Sequence, residues 1–119
     1  MSGEPLVIEQ LVGTSGQTVL RLKGPLTTEN ISLFQNAVRR EDASTVILDL
    51  TNVPYMDSSG LGSLVGTYTS CHKAGRRMVL SGVNERVGRL LEITKTDSLF
   101  LMFPSLWEAM EALTGAARA

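Results

Sequence analysis

The sequence predicts a single α/β domain: a mixed, mostly parallel sheet with helices packed on it and an antiparallel hairpin at its N-terminus. Three observations lead there. Stretches of strand character alternate with amphipathic stretches of helical spacing, in the order strand, strand, helix, strand, helix, strand, helix, strand, helix. Thr45–Leu50 (TVILDL) is almost continuously aliphatic and β-branched, as central strands covered on both faces are. After the first two strands, each strand is separated from the next by a helix, which calls for crossovers and therefore parallel pairing.

Each element has its own signal. Residues 5–12 (PLVIEQLV) and 17–23 (QTVLRLK) read as strands joined around Gly13-Thr14-Ser15-Gly16. The second alternates Val19, Arg21 and Lys23 against Leu20 and Leu22 until Gly24-Pro25 breaks it. A helix is expected near 28–40, capped by Thr27 or Thr28, with Ile31, Phe34 and Val38 on one face beside Ala37. A second helix carries Leu61, Leu64, Val65, Tyr68 and His72 at helical spacing and stops at Gly75. Met78–Leu80 is a short strand, and Asn84-Glu85 opens a helix that turns Val87, Leu90 and Leu91 inward. Leu99–Phe103 is a last strand. Ser105 and Glu108 form a capping box for a final helix to about residue 114, after which the tail GAARA is expected to fray.

Composition bounds the function. The chain has 119 residues, 43% of them hydrophobic and 19% charged, with a net charge of −1. That describes one globular domain spanning 1–119, with a core over about 5–114. No basic block marks a nucleic-acid face, so no direct nucleic-acid partner is expected. The single cysteine, Cys71, excludes an internal disulfide and a cysteine-rich zinc site. With one histidine, a transition-metal site would rest on carboxylates, and neither metal nor cofactor is expected. No charged-then-apolar leader opens the chain and no apolar run approaches the roughly eighteen residues of a membrane span, which points to the cytoplasm.

The chemistry concentrates in one loop. Asp57-Ser58-Ser59-Gly60 stands between the central strand and the helix that follows. The first amides of a helix lack internal partners and carry partial positive charge, so they stabilise anions. A serine there is also a phosphoacceptor candidate, expected on an exposed turn whose glycines leave the backbone accessible. Asp and Ser are also common caps and Gly a common turn residue, so from these residues alone plain capping is the favoured account. A triad of Ser58, His72 and Asp57 has nothing to place it, and there is no G-x-S-x-G elbow. The glycines at 60, 62 and 66 lie too far from the end of the strand for a dinucleotide fingerprint. Gly60 and Gly62 are expected to permit the turn, and Gly62 and Gly66 to let the helix pack closely on the sheet.

At MDSSGLG, residues 56–62, the chain resembles the STAS domain of bacterial anti-sigma factor antagonists. The resemblance extends over nearly the whole chain. VILDLTNVPYMDSSGLGSLVG is similar to the family's central strand, phosphorylation loop and following helix, and VLSGVNERVGRLLEIT and SLFLMFPSLWEAM to its later strand–helix repeats. The resemblance implies a single STAS domain and a regulator, with no enzymatic activity, in a partner-switching pathway. The unphosphorylated form would bind an anti-sigma factor that is also a serine kinase, and so free a sigma factor. Phosphorylation at Ser58 would end the binding, and a PP2C-type phosphatase would restore it. Asp57 is the matching acid, Ser59, Gly60, Leu61 and Gly62 complete the loop and helix start, and Thr27 and Ser63 are expected beside them at the partner surface. Ser63 and Thr67 are expected to face outward.

Two departures stand out. Where the family often has an acid in a G-x-L-D pattern, this chain has Gly24-Pro25-Leu26-Thr27. Where it commonly has T-G-L-D, Thr94-Lys95-Thr96-Asp97 stands, without the glycine. Two alternatives remain. One is a STAS scaffold in a stressosome-like or transporter-linked complex, and the other, remote, is an enzyme with Ser58 as nucleophile. The edge strand of the first hairpin can pair with another chain, so a weak homodimer is also an expectation.

Overall fold

The computed structural model describes residues 5–12 and 16–118. Among them are five strands and four α-helices: β1 Val7–Val12, β2 Gln17–Lys23, α1 Ile31–Arg39, β3 Thr45–Asn52, α2 Ser58–Lys73, β4 Arg77–Ser81, α3 Glu85–Ile93, β5 Met102–Phe103 and α4 Leu106–Arg118. The strands lie in the sheet in chain order, β1-β2-β3-β4-β5. β1 and β2 are antiparallel, with Ile8 opposite Leu22, and every later pair is parallel, with Ile47 between Val19 and Val79. This is the mixed, mostly parallel α/β sheet that the sequence predicts. The turn expected at Gly13-Thr14-Ser15 lies outside the described residues.

Strand alternation divides the core between the two faces of the sheet. On one face Leu20, Leu22, Val46, Leu48, Leu50, Met78 and Leu80 are buried against Phe34 and Val38 of α1, Leu61 and Leu64 of α2, and Val87 and Leu91 of α3. On the other face Val19, Ile47 and Val79 meet Ala109 and Leu113 of α4. β3 is therefore covered on both sides, which accounts for its aliphatic sequence.

Asp49 interrupts that sequence. It is only 3% exposed, and its Oδ2 accepts from Arg21 Nε at 3.1 Å. Its Oδ1 accepts from the Thr51 hydroxyl at 2.6 Å and from the Thr51 amide at 3.2 Å. Ser81 Oγ stands at 3.5 Å from the same oxygen. The carboxylate thus ties β2, β3 and β4 together.

Several boundaries differ from expectation. α1 begins at Ile31, and neither Thr27 nor Thr28 caps it. Asn30 accepts from the Thr27 amide at 2.9 Å and donates to the Pro25 carbonyl at 2.8 Å, so residues 28–30 are held in a turn. The expected strand Leu99–Phe103 shrinks to Met102–Phe103, because Asp97–Leu99 form a 3-10 turn. In that stretch Phe100 alone is buried, edge-on to Tyr68 at 5.3 Å between ring centroids. α4 runs on to Arg118, past the expected end near 114, through a tail whose alanines favour helix. Gly62 and Gly66 do not serve close packing, since a Cβ at either would meet nothing within 4 Å. His72 is exposed and stacks on Tyr68, with centroids 6.1 Å apart.

Candidate functional site

The loop that carries Ser58 is positioned by a continuation of the sheet. Beyond β2 and β3 the chain pairs once more, in parallel, at Leu26 and Met56. The Leu26 amide donates to the Tyr55 carbonyl at 3.2 Å, and the Asp57 amide donates to the Leu26 carbonyl at 3.2 Å. Asp57 is thereby fixed in extended conformation at the N-cap of α2, with φ −94° and ψ −176°.

Asp57 commits both of its carboxylate oxygens. Oδ1 accepts from the Gly60 amide at 2.7 Å, the capping bond of α2. Oδ2 accepts from the Thr28 amide at 3.1 Å and the Thr28 hydroxyl at 3.3 Å. The Gly60 amide, foremost, holds the Asp57 carboxyl below its ordinary value of 3.8; partial burial works against it, and the Thr28 amide and hydroxyl add to the lowering. The acid is therefore ionised at neutral pH and holds the segment after β2 against the start of α2.

Gly60 is the steric counterpart of this clamp. A Cβ built there would overlap the Leu26 carbonyl, so the first turn of α2 can approach the Pro25–Thr28 segment this closely only with glycine. Leu61 is buried beneath it. Ser58, by contrast, is exposed, and its hydroxyl has no hydrogen-bond partner among the described residues; Ser59 is half-buried and Gly62 exposed.

The other expected site residues divide. Asp57, Ser58, Ser59, Gly60, Leu61 and Gly62 lie together at the start of α2, and the segment with Thr27 and Thr28 adjoins them. It is Thr28 that reaches Asp57, while the half-buried Thr27 bonds to Asn30. Ser63 and Thr67 do not face outward: they are 5% and 8% exposed. Ser63 Oγ donates to the Gly60 carbonyl at 2.8 Å, and Thr67 Oγ1 donates to the Ser63 and Leu64 carbonyls at 3.0 Å. Both lie on the inner side of α2 in register with Gly60 and Leu64, and each satisfies its buried hydroxyl on the helix's own carbonyls. His72 stands fourteen residues beyond Ser58 on the same helix, roughly 20 Å along its axis, so the two belong to no common catalytic group.

The structure adds neighbours that the sequence did not single out. Asn84 caps α3 by accepting from the Val87 amide at 2.8 Å, and also donates to the Val53 carbonyl at 3.0 Å. This ties α3 to the loop, and Arg86 stacks over the Tyr55 ring at 5.0 Å. Asn84 carries a capping signal in sequence. Its second bond, and the Arg86–Tyr55 contact, depend on two segments about thirty residues apart and have no local signature.

A five-stranded mixed sheet with an exposed serine beside a fixed acid, at the start of the helix after the central strand, defines a small α/β module with its most chemically distinctive loop at that helix start. The STAS domain pattern matches residues 9–109, and the chain belongs to the STAS domain family. The anti-sigma F factor antagonist of Paenibacillus polymyxa is 33% identical over 103 residues, which cover 83% of this chain and 86% of that protein. A putative anti-sigma factor antagonist from Thermotoga maritima superposes with a TM-score of 0.80 at 28% identity, over 88% of this chain and 92% of the other. A sulfate transporter family protein from Wolinella succinogenes shares the fold, with a TM-score of 0.82 at 20% identity over 92% and 93% of the two chains.

Proposed function

We propose that this STAS domain is an anti-sigma factor antagonist switched by phosphorylation of Ser58. The unphosphorylated protein binds an anti-sigma factor that is also a serine kinase, and so releases a sigma factor. The kinase transfers the γ-phosphoryl group of ATP to Ser58 Oγ, with loss of the hydroxyl proton, and binding ends. A PP2C-type phosphatase hydrolyses the ester and restores it. Nothing in this role asks the domain for catalysis.

One observation supports the reading above the others: the exposed, unpartnered Ser58 hydroxyl directly follows an acid whose two oxygens are already engaged. Phosphorylation adds about −1.5 to −2 of charge. Asp57 cannot turn away without uncapping α2, so the two negative groups stay together on one small surface. The amides at the helix start tolerate this charge within the fold. A partner surface fitted to a neutral hydroxyl does not. In this reading Ser58, Ser59 and Gly62 touch the partner, Asp57, Gly60 and Leu61 shape the loop, and Thr28, Tyr55 and Arg86 form its rim.

The test joins two measurements. Mass spectrometry of protein from native cells under several growth conditions should find a condition-dependent phosphate on Ser58. In binding assays with the anti-sigma factor kinase, Ser58→Ala should bind as the unmodified protein does, and Ser58→Asp at least tenfold more weakly. A phosphate on Ser59 instead, or equal binding by Ser58→Asp, would sink the assignment. The fold shared with a transporter-family protein supports a second reading, a scaffold module without an obligatory switch. Persistent absence of phosphate under all conditions is the result that would favour it.

A further inference from the structure

We infer that a groove between α1 and α2, at the end of the molecule away from Ser58, binds a small organic oxyanion, a carboxylate or phosphate monoester with a short apolar part. The groove has a volume of about 320 Å³ and is walled by Gln35, Val38 and Arg39 of α1 and Gly66 and Ser70 of α2, with Arg76 beyond the helix end. No acid lines it.

Its two arginines are placed as anion ligands. Arg76 is anchored: its amide donates to the Cys71 carbonyl at 2.8 Å and its Nε to the Ala43 carbonyl at 3.0 Å. Its Nη2 is shielded from solvent, yet has no acceptor among the described residues. Arg39 spends Nη1 on Asn36 Oδ1 at 3.2 Å. Neither arginine has a carboxylate within ion-pair distance among the described residues. The negative ends of α1 and α2 account for positive charge in this place. They do not supply a specific acceptor for either guanidinium, and no carboxylate of the described residues does so. Arg76 Nη1 and Arg39 Nη2, which are not shielded and have no acceptor among the described residues, are the nitrogens that an oxyanion in the groove would meet.

The remaining walls describe the rest of the ligand. Val38 is buried and apolar, and Gly66 leaves open space where a side chain would stand. The Ser70 hydroxyl and the Gln35 amide have no partners among the described residues and can serve a second polar group. A bare inorganic ion would leave the apolar wall unused.

Titration of the full chain with phenyl phosphate, followed by amide and arginine Nε–H chemical shifts at constant ionic strength, tests this inference. Saturable shifts should appear at Gly66, Ser70 and Arg76, with inorganic phosphate at least fivefold weaker. Arg76→Gln should weaken binding at least tenfold. Gly66→Leu, which fills the groove from a position free of steric conflict, should abolish it while the remaining spectrum stays that of the folded protein. Shifts that fail to saturate, that spread over all surface arginines and lysines, or that survive Gly66→Leu would overturn the proposal. Because no readout involves Ser58 or the anti-sigma factor, the result is independent of the proposed switch.

Discussion

Gly60 and Asp57 do different work at the start of α2, and substitution separates them. Any side chain at position 60 collides with the Leu26 carbonyl, so Gly60→Ala should cost about 1–3 kcal/mol, measured by urea denaturation. At positions 62 and 66 an added methyl meets nothing. There, Gly62→Ala and Gly66→Ala should each stabilise the protein by about 0.5–1 kcal/mol, because alanine restricts the unfolded chain and favours helix. Asp57→Ala removes the cap and should cost about 1–2 kcal/mol. Asp57→Asn can keep the capping oxygen toward Gly60, but it removes the charge and replaces Oδ2, the acceptor of the Thr28 amide, with an NH2 donor. Since the folded-state carboxyl lies below its ordinary value of 3.8, its charge stabilises the fold above that pH, and this contribution is lost as pH falls through the lower, folded-state value. The stability gap between wild type and Asp57→Asn should therefore be widest near neutrality and narrow below about pH 4. A gap that is independent of pH would show that the charge contributes nothing.

At the scale of elements, the turn after α3 carries a testable strain. Lys95 adopts φ 61°, the left-handed conformation that suits glycine, at the position where the family commonly has one. Lys95→Gly should raise stability by about 0.5–1 kcal/mol, read as a higher denaturation midpoint with an unchanged slope. The same element shows why some features were legible in the sequence and others were not. α3 and its Asn84 cap were readable because caps and helical periodicity act within a few residues. The buried faces of β2 and β3 were readable because strand alternation is equally local. The Thr27 and Thr28 hydroxyls look like caps, which puts the expected start of α1 three residues before the observed Ile31. In the fold, Thr28 is drawn to Asp57, 29 residues along, and Asn30 holds the turn. β5 is shorter than its apolar run suggests, because such a run does not say how many of its residues an edge strand can pair. Ser63 and Thr67 look like surface residues by type, and only the approach of α2 to the sheet shows that they lie inside.

For the whole molecule, the Arg21–Asp49 pair is the polar tie across the sheet, and its asymmetry makes a prediction. The Asp49 side chain is 4% exposed and that of Arg21 33%. Arg21 also stands 4.0 Å from Glu9, which in turn holds Lys23 at 3.0 Å, so the cluster reaches from β1 to β4. Removing either partner breaks the same ion pair but leaves a different residue behind. After Asp49→Ala, Arg21 can turn to Glu9 and to water, and only part of its charge stays desolvated. After Arg21→Leu, the Asp49 side chain remains buried with only the Thr51 amide and hydroxyl and the distant Ser81 hydroxyl as partners. Loss of one partner of a buried pair costs about 3–5 kcal/mol, and Arg21→Leu should approach that range. Asp49→Ala should cost distinctly less, about 1–3 kcal/mol, because the charge left behind is hydrated. The double variant should recover part of the Arg21→Leu loss, since it removes the stranded side chain. Denaturant unfolding of the two single variants and the double variant decides it. If Asp49→Ala proves the more damaging single change, the tie works through the Thr51 and Ser81 bonds, and the ion pair is secondary.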